Sequence, residues 1–246
     1  MVYICIRKTT NWASAADFWA QLPPQFKPSI DTWNQTFNIP YHLFRLRLRE
    51  ISRINLAAVK NAACVDWNDV PDGALVMPVD DDDWFAEDAG SAVEEAWHSK
   101  LEGLSWESSF LEVPVSLGHW LYLKKQRFLR TDPMWVCTTN NYAMRKSSVT
   151  EPLLRNHIQA SGWFLTHPES IKRVDWRISL MNRTLGSRTS LGLKRPHETK
   201  AIKQRSLLKK YQRYRNLYSQ PVSKELAWSR PYVAMMKDLM DELHPA

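Results

Sequence analysis

The chain has 246 residues, 44% of them hydrophobic, and a net charge of +7, which is enough length for one large domain or one domain with a tail. Glycine is scarce at seven, and neither GxGxxG nor GxxxxGK(S/T) occurs, which argues against Rossmann dehydrogenases and P-loop NTPases. The charge is concentrated: Lys194 to Arg215 holds nine Lys/Arg against Glu198 alone, so the remainder is close to neutral and the basic character belongs to one segment.

Val2-Tyr3-Ile4-Cys5-Ile6 predicts a first strand, buried on both faces as a central parallel strand would be. Arg7 and Lys8 follow so short an apolar run that it does not read as a signal peptide. No apolar run approaches the about 18 residues that span a bilayer, so a soluble, cytoplasmic protein is expected. Cys5, Cys64 and Cys137 are odd in number and far apart, with no zinc spacing, which points to a reducing compartment and buried free thiols. Ala13 to Ala20 reads as a helix, stopped by Leu22-Pro23-Pro24. Gln25 to Pro40 reads as irregular chain. Tyr41 to Ala62 carries Leu43, Leu46, Ile51, Ile54 and Val59 at roughly helical spacing, and is decorated by Arg45, Arg47, Arg49 and Arg53.

Ala74-Leu75-Val76-Met77-Pro78-Val79 reads as a short buried strand, bounded before it by the turn signal Asp72-Gly73. It runs into Asp80-Asp81-Asp82-Asp83, then Trp84-Phe85, then a helix predicted from Ala86 to Trp97 with Glu87 and Asp88 in its first turn. Four carboxylates therefore stand at the carboxyl end of a strand, where ligands bind in open α/β sheets. Adjacent carboxylates repel, and water, helix amides or a hard cation can offset that. Asp80 and Asp82 can point the same way in an extended backbone, a spacing that suits Mg²⁺ or Mn²⁺. The alternative is a solvated acidic helix start with Asp83 as its N-cap.

Beyond an acidic stretch, Phe110 to Val115 and Trp120 to Phe128 read as strands, as does Met134 to Thr139. Asn140-Asn141 reads as a turn at that strand's end. Thr150 to Ala160 reads as one helix with His157 late in it, and His167 follows. Pro196 to Tyr218 reads as a basic helix with Leu207, Leu208, Tyr211, Tyr214 and Leu217 as its apolar stripe. Ser229 opens a last helix with core positions Val233, Met236, Leu239 and Leu243.

The run Val79 to Asp88, VDDDDWFAED, resembles the DxD region of GT-A-type glycosyltransferases, nucleotide-sugar-dependent and rhamnosyltransferase-like. Ser52-Arg53-Ile54-Asn55 to Ala62 resembles their donor-side helix, although Ile54 separates the usual Arg-Asn pair. The likeness covers about forty residues well, the span from Ser52 to Asp88, and the rest in outline. It implies a mostly parallel α/β sheet flanked by helices over residues 1–193, with residues 194–246 as a basic helical extension packed on it. It implies that Asp80 and Asp82, with His157 or His167, hold Mn²⁺ or Mg²⁺. Arg53, Asn55, Asp80, Asp81, Arg183 and Arg188 would bind the donor, and Asn140 and Asn141 the acceptor. Asp83 or Asp175 would serve as the base of an inverting transfer. The loop after the first strand would help hold the nucleotide base.

The function expected is thus metal-dependent transfer of a sugar from a nucleotide-sugar to an acceptor hydroxyl on a glycan or another molecule. A metal-dependent nucleotidyltransferase shares the carboxylate logic. A nucleic-acid-binding protein using the basic helix is a third reading, against which the absence of a zinc or RNP motif weighs. The same helix would also suit peripheral contact with an anionic membrane surface.

Overall fold

The computed structural model describes residues 1–7, 11–97, 100–106, 109–111, 140–147, 149–174, 178–187, 191, 202–222 and 224–246. In chain order its strands are β1 (Val2–Arg7), β2 (Ala62–Val65), β3 (Leu75–Asp80), β4 (Trp84–Phe85), β5 (Gly103–Trp106), β6 (Ser109–Leu111), β7 (Tyr142–Arg145), β8 (Ile171–Val174) and β9 (Ser179–Asn182). Its helices are α1 (Ala15–Gln21), α2 (Lys27–Thr36), α3 (Tyr41–Ala57), α4 (Ala89–Ala96), α5 (Glu151–Arg155), α6 (His157–Thr166), α7 (Gln204–Tyr218) and α8 (Arg230–Glu242).

The main sheet has six strands in the order β2-β1-β3-β7-β5-β8. The β1–β2, β1–β3 and β5–β8 pairs are parallel, and β7 runs antiparallel to both β3 and β5. A smaller sheet, β4-β9-β6, stands beside it. The protein is thus α/β with a mostly parallel central sheet flanked by helices, as expected. Strand period 2 explains the apolar run at its centre. Val2, Ile4, Leu75, Met77 and Val79 turn to one face, with Leu56, Val59, Ala89 and Val93. Cys5 and Val76 turn to the other, with Tyr142, Met144, Leu154 and Phe164.

A third core joins the N-terminal helices to the C-terminal ones: Phe18, Ile30, Trp33, Phe44 and Leu48 pack with Leu207, Tyr211, Leu217, Val233, Met236 and Leu239. Residues after 193 therefore bury their apolar stripes in the same core as α1–α3. Among the described residues no helix is long and apolar enough to cross a membrane.

Several expectations are corrected. Gln25 to Pro40 is not irregular: a 3-10 turn (Pro24–Phe26) leads into α2, which has Pro28 in its first turn, and Phe26, Ile30, Trp33 and Phe37 are buried along it. In α3 the buried face is Tyr41, Phe44, Leu48, Ile51, Ser52 and Asn55, so Leu43, Leu46 and Ile54 are exposed. That helix ends at Ala57, because Asn61 takes positive φ and the chain then enters β2. The helix expected from Ala86 starts at Ala89, because the Ala86 N–H still bonds Ile178 O at 2.8 Å; Asp83 therefore caps nothing. Thr150 to Ala160 splits at Asn156, whose extended backbone and side-chain cap on Ile158 N–H open a new helix. His157 is consequently the first residue of α6. Cys64 is exposed, not buried; Cys5 is buried, and burial, with Cys64 adding, pushes its thiol up to about 12. Of the strands expected between 110 and 139, the described part is in β6, and the rest lies outside the described residues, as does Cys137.

Candidate active site

From β1 the chain crosses to β2 on one side and returns to β3 on the other, so the strand order reverses between β1 and β3. In open α/β sheets the crevice beyond the carboxyl ends at such a point is where ligands sit. Here those ends are Arg7 and Asp80, which are register partners. Pro78 helps to open this edge. It has no N–H to donate, and the β3–β7 ladder stops at Val76↔Met144, before it. On the other flank the Arg7 Nη2 donates to Arg155 O at 2.9 Å, and Nη1 lies 3.3 Å from His157 Nδ1. A guanidinium only donates, so Nδ1 is the acceptor of that contact.

The acidic turn is held residue by residue from one side of α3. Arg45 Nη2 meets Asp81 Oδ1 at 2.6 Å, and Nη1 meets Asp82 Oδ2 at 3.3 Å. Two turns on, the Ser52 hydroxyl donates to Asp83 O at 2.9 Å. Asn55 completes the set: its Nδ2 donates to Phe85 O, and its Oδ1 accepts from Phe85 N–H, both at 2.8 Å. Helical spacing places positions 45, 52 and 55 on neighbouring faces, so they follow the turn in the order of its own sequence. Asp83 is tied from the far side, where its Oδ1 accepts from Asn182 N–H at 2.8 Å. Asn182 Oδ1 in turn accepts from the Tyr218 hydroxyl, which links α7 to the turn.

These bonds alter the electrostatics expected for four aspartates. Burial works against the Arg45 charge, but Asp81 and Asp82 outweigh it and hold the guanidinium protonated. Burial pushes Asp82 up to about 7; Arg45 opposes that, and Asp81 and Asp80 add to it. The repulsion in the run is thus relieved by an arginine, which the sequence reading did not weigh beside water, amides and a metal.

Between α3 and the segment after β1 lies an open groove of about 590 Å³, lined by Asn11, Trp12, Leu46, Arg49, Glu50, Arg53 and Ile54. The Arg49 guanidinium lies 5.4 Å from the Trp12 ring centroid. Burial lowers the Arg49 pKa, while the nearby Asp81 carboxylate opposes that shift. Arg45, Arg49 and Arg53, spaced four apart, form a ladder from the acidic turn to the exposed end of the groove. The groove thus offers an indole, the exposed Arg53, the buried Arg49 against that indole and an aliphatic floor, with the Glu50 carboxylate also in its lining, and Trp12 with Arg53 suits an anionic ligand that carries a flat ring.

The expected site residues separate as follows. Asp80 stands at the switch point, with His157 across Arg7, and Asn140 is fully buried. Arg53 is exposed in the groove, and Arg183 is exposed just beyond β9. Asn55 is corrected from donor ligand to structural clamp, because both ends of its buried amide bind the Phe85 backbone. Asp83 is corrected as a base: it is 1% exposed and its carboxylate holds Asn182 N–H, whereas a base must reach an acceptor hydroxyl. Asn141 is buried, and its Nδ2 donates to Trp106 O at 3.0 Å, tying β7 to β5. His167 stacks on Trp163 at 4.6 Å. Asp175 and Arg188 lie outside the described residues.

Asp80, Asp82 and His157 do not come together as ligands of one ion, since Asp82 faces Arg45 and His157 faces Arg7. Among the described residues no group of three or more His, Cys, Asp or Glu side chains is arranged to hold a metal. The residues present do not fit a preformed metal cage. Trp12, Arg45 and Arg49 are the members that sequence reasoning missed, whereas Arg7 opens the loop expected at the active edge. The i, i+4, i+8 spacing of Arg45, Arg49 and Arg53 was the available signal.

Comparison with known proteins places no relative beside this chain: it matches no family model, no curated protein and no solved structure.

Proposed function

We propose that the protein is a glycosyltransferase of GT-A type, which moves a sugar from a nucleotide-sugar donor to an acceptor hydroxyl. The observation that carries the reading is the aspartate turn at the switch point of the sheet, with an arginine- and tryptophan-lined groove alongside it. In this reading the groove takes the nucleotide. Trp12 offers a face to the base, and Arg49 and Arg53 meet the phosphates, since a guanidinium forks onto their oxygens. The sugar then lies toward Asp80 and Arg7, where the acceptor hydroxyl approaches. The divalent ion expected from the DxD resemblance would have to share the turn with Arg45, which already meets two of the carboxylates. The exposed cations Arg205, Lys209 and Arg213, at i, i+4 and i+8 on α7, suit an anionic surface near a membrane-bound acceptor.

The test is a thermal-shift panel of UDP, GDP, CDP and dTDP, each with Mn²⁺, Mg²⁺ or EDTA. At a concentration of about 100 Kd a ligand adds about 2.7 kcal/mol, which raises Tm by about 5–10 °C for a chain of this size. One diphosphate should give such a shift. Arg53→Ala should reduce it without moving the Tm of the free protein. No shift with any nucleotide overturns the reading. Release of pyrophosphate in place of a nucleoside diphosphate, in a turnover assay, would make the enzyme a nucleotidyltransferase instead.

A further inference from the structure

We infer that Arg45 is the resident cation of the acidic turn, and that Mg²⁺ or Mn²⁺ gains Asp81 and Asp82 only where that guanidinium is removed. The geometry is that of a built ion site with an arginine inside it. One planar fork spans two carboxylates, at 2.6 Å to Asp81 and 3.3 Å to Asp82. The three side chains are only 13%, 14% and 12% exposed, so this is no solvated surface pair. Nor is the pairing loose. The helix that carries Arg45 also fastens the turn through Ser52 and Asn55, so cation and carboxylates share one frame.

A divalent ion bridging Asp81 and Asp82 would lie where the two Nη groups now lie. It would expel the guanidinium from both its acceptors while the backbone kept it in place, which leaves a largely buried charge unpaired. Of the neighbouring carboxylates, Asp83 already holds Asn182 N–H, while Asp80 ends the adjacent strand as the register partner of Arg7 and acts on Asp82 through its charge. Arginine suits this post better than lysine, because an ammonium is a point charge and cannot fork onto two carboxylates. The inference concerns the free protein and does not depend on the sugar-transfer reading.

The experiment measures Mn²⁺ binding to metal-free protein, from loss of the free-ion paramagnetic resonance signal, in wild type, Arg45→Met, Arg45→Lys and Asp82→Asn. Wild type should bind Mn²⁺ weakly, with Asp82→Asn making no difference. Arg45→Met should bind at least about tenfold more tightly, the scale on which a changed partner shifts metal affinity, and lose that gain when Asp82→Asn is added. Where circular dichroism shows Arg45→Met unfolded, Arg45→Lys takes its place and should gain affinity in the same direction. Tight binding by wild type that Asp82→Asn abolishes overturns the inference. So does a folded Arg45 variant with unchanged affinity.

Discussion

Replacing Asn55 by alanine separates the two roles open to that residue. In the structure its amide makes two hydrogen bonds of 2.8 Å to the backbone of Phe85, and both residues are fully buried. Alanine leaves the Phe85 N–H and C=O without partners. A buried group stripped of its bond costs about 1–3 kcal/mol, so the pair costs about 2–6 kcal/mol, the lower end applying where water enters the space. At about 2–4 °C per kcal/mol, a loss near the middle of that range lowers Tm by about 8–16 °C. Urea titration is the assay, since a fall in midpoint with an unchanged slope reports stability alone. Ser52→Ala removes one bond, to Asp83 O, and should cost less than Asn55→Ala. A loss below about 1 kcal/mol in Asn55→Ala, together with a weakened nucleotide shift, would refute the clamp and return Asn55 to the ligand.

Two further outcomes are expected. Burial holds Asp82 above its ordinary value of 3.8, at about 7, so the folded chain keeps a proton that the unfolded chain releases. The stability from this group is complete below pH 3.8 and is lost as pH rises through about 7; Asp82→Asn should flatten Tm against pH across that window, and an unchanged slope would count against the shift. At Gly186 an added Cβ would lie 2.6 Å from the Phe44 ring, in a spot where the Tyr41 hydroxyl also donates to Gly186 O at 2.7 Å. Gly186→Ala should therefore cost about 1–3 kcal/mol of overpacking in a urea titration, and a neutral result would mean that the ring yields freely.

Some of this protein was legible in its sequence, because the signals were local. A short apolar run before four aspartates marks a buried strand and its exit, and β3 with its acidic turn lies there. Val2 to Ile6 reads as a central strand because it is apolar at every position, and β1 is indeed paired on both sides. The stripe of the last helix, Val233, Met236, Leu239 and Leu243, is buried as its period requires. Other elements were misread where the signal was mixed. The face of α3 that packs inward carries Ser52 and Asn55, so counting aliphatic positions selected Leu43, Leu46 and Ile54, which face solvent. β2, β5 and β7 have four residues each, too short to show a period.

What the sequence determined by itself was the chemical inventory and its order: four carboxylates after a strand, arginines four apart on one helix, and a basic C-terminal segment. Only the tertiary structure decided which groups meet. Arg45 lies 36 residues from Asp81, and Asn182 lies 99 from Asp83, yet these contacts settle the charge and placement of the turn. No local pattern encodes such pairings. They arise because α3 packs where its buried face closes the core, and the turn then binds whichever side chains that packing presents.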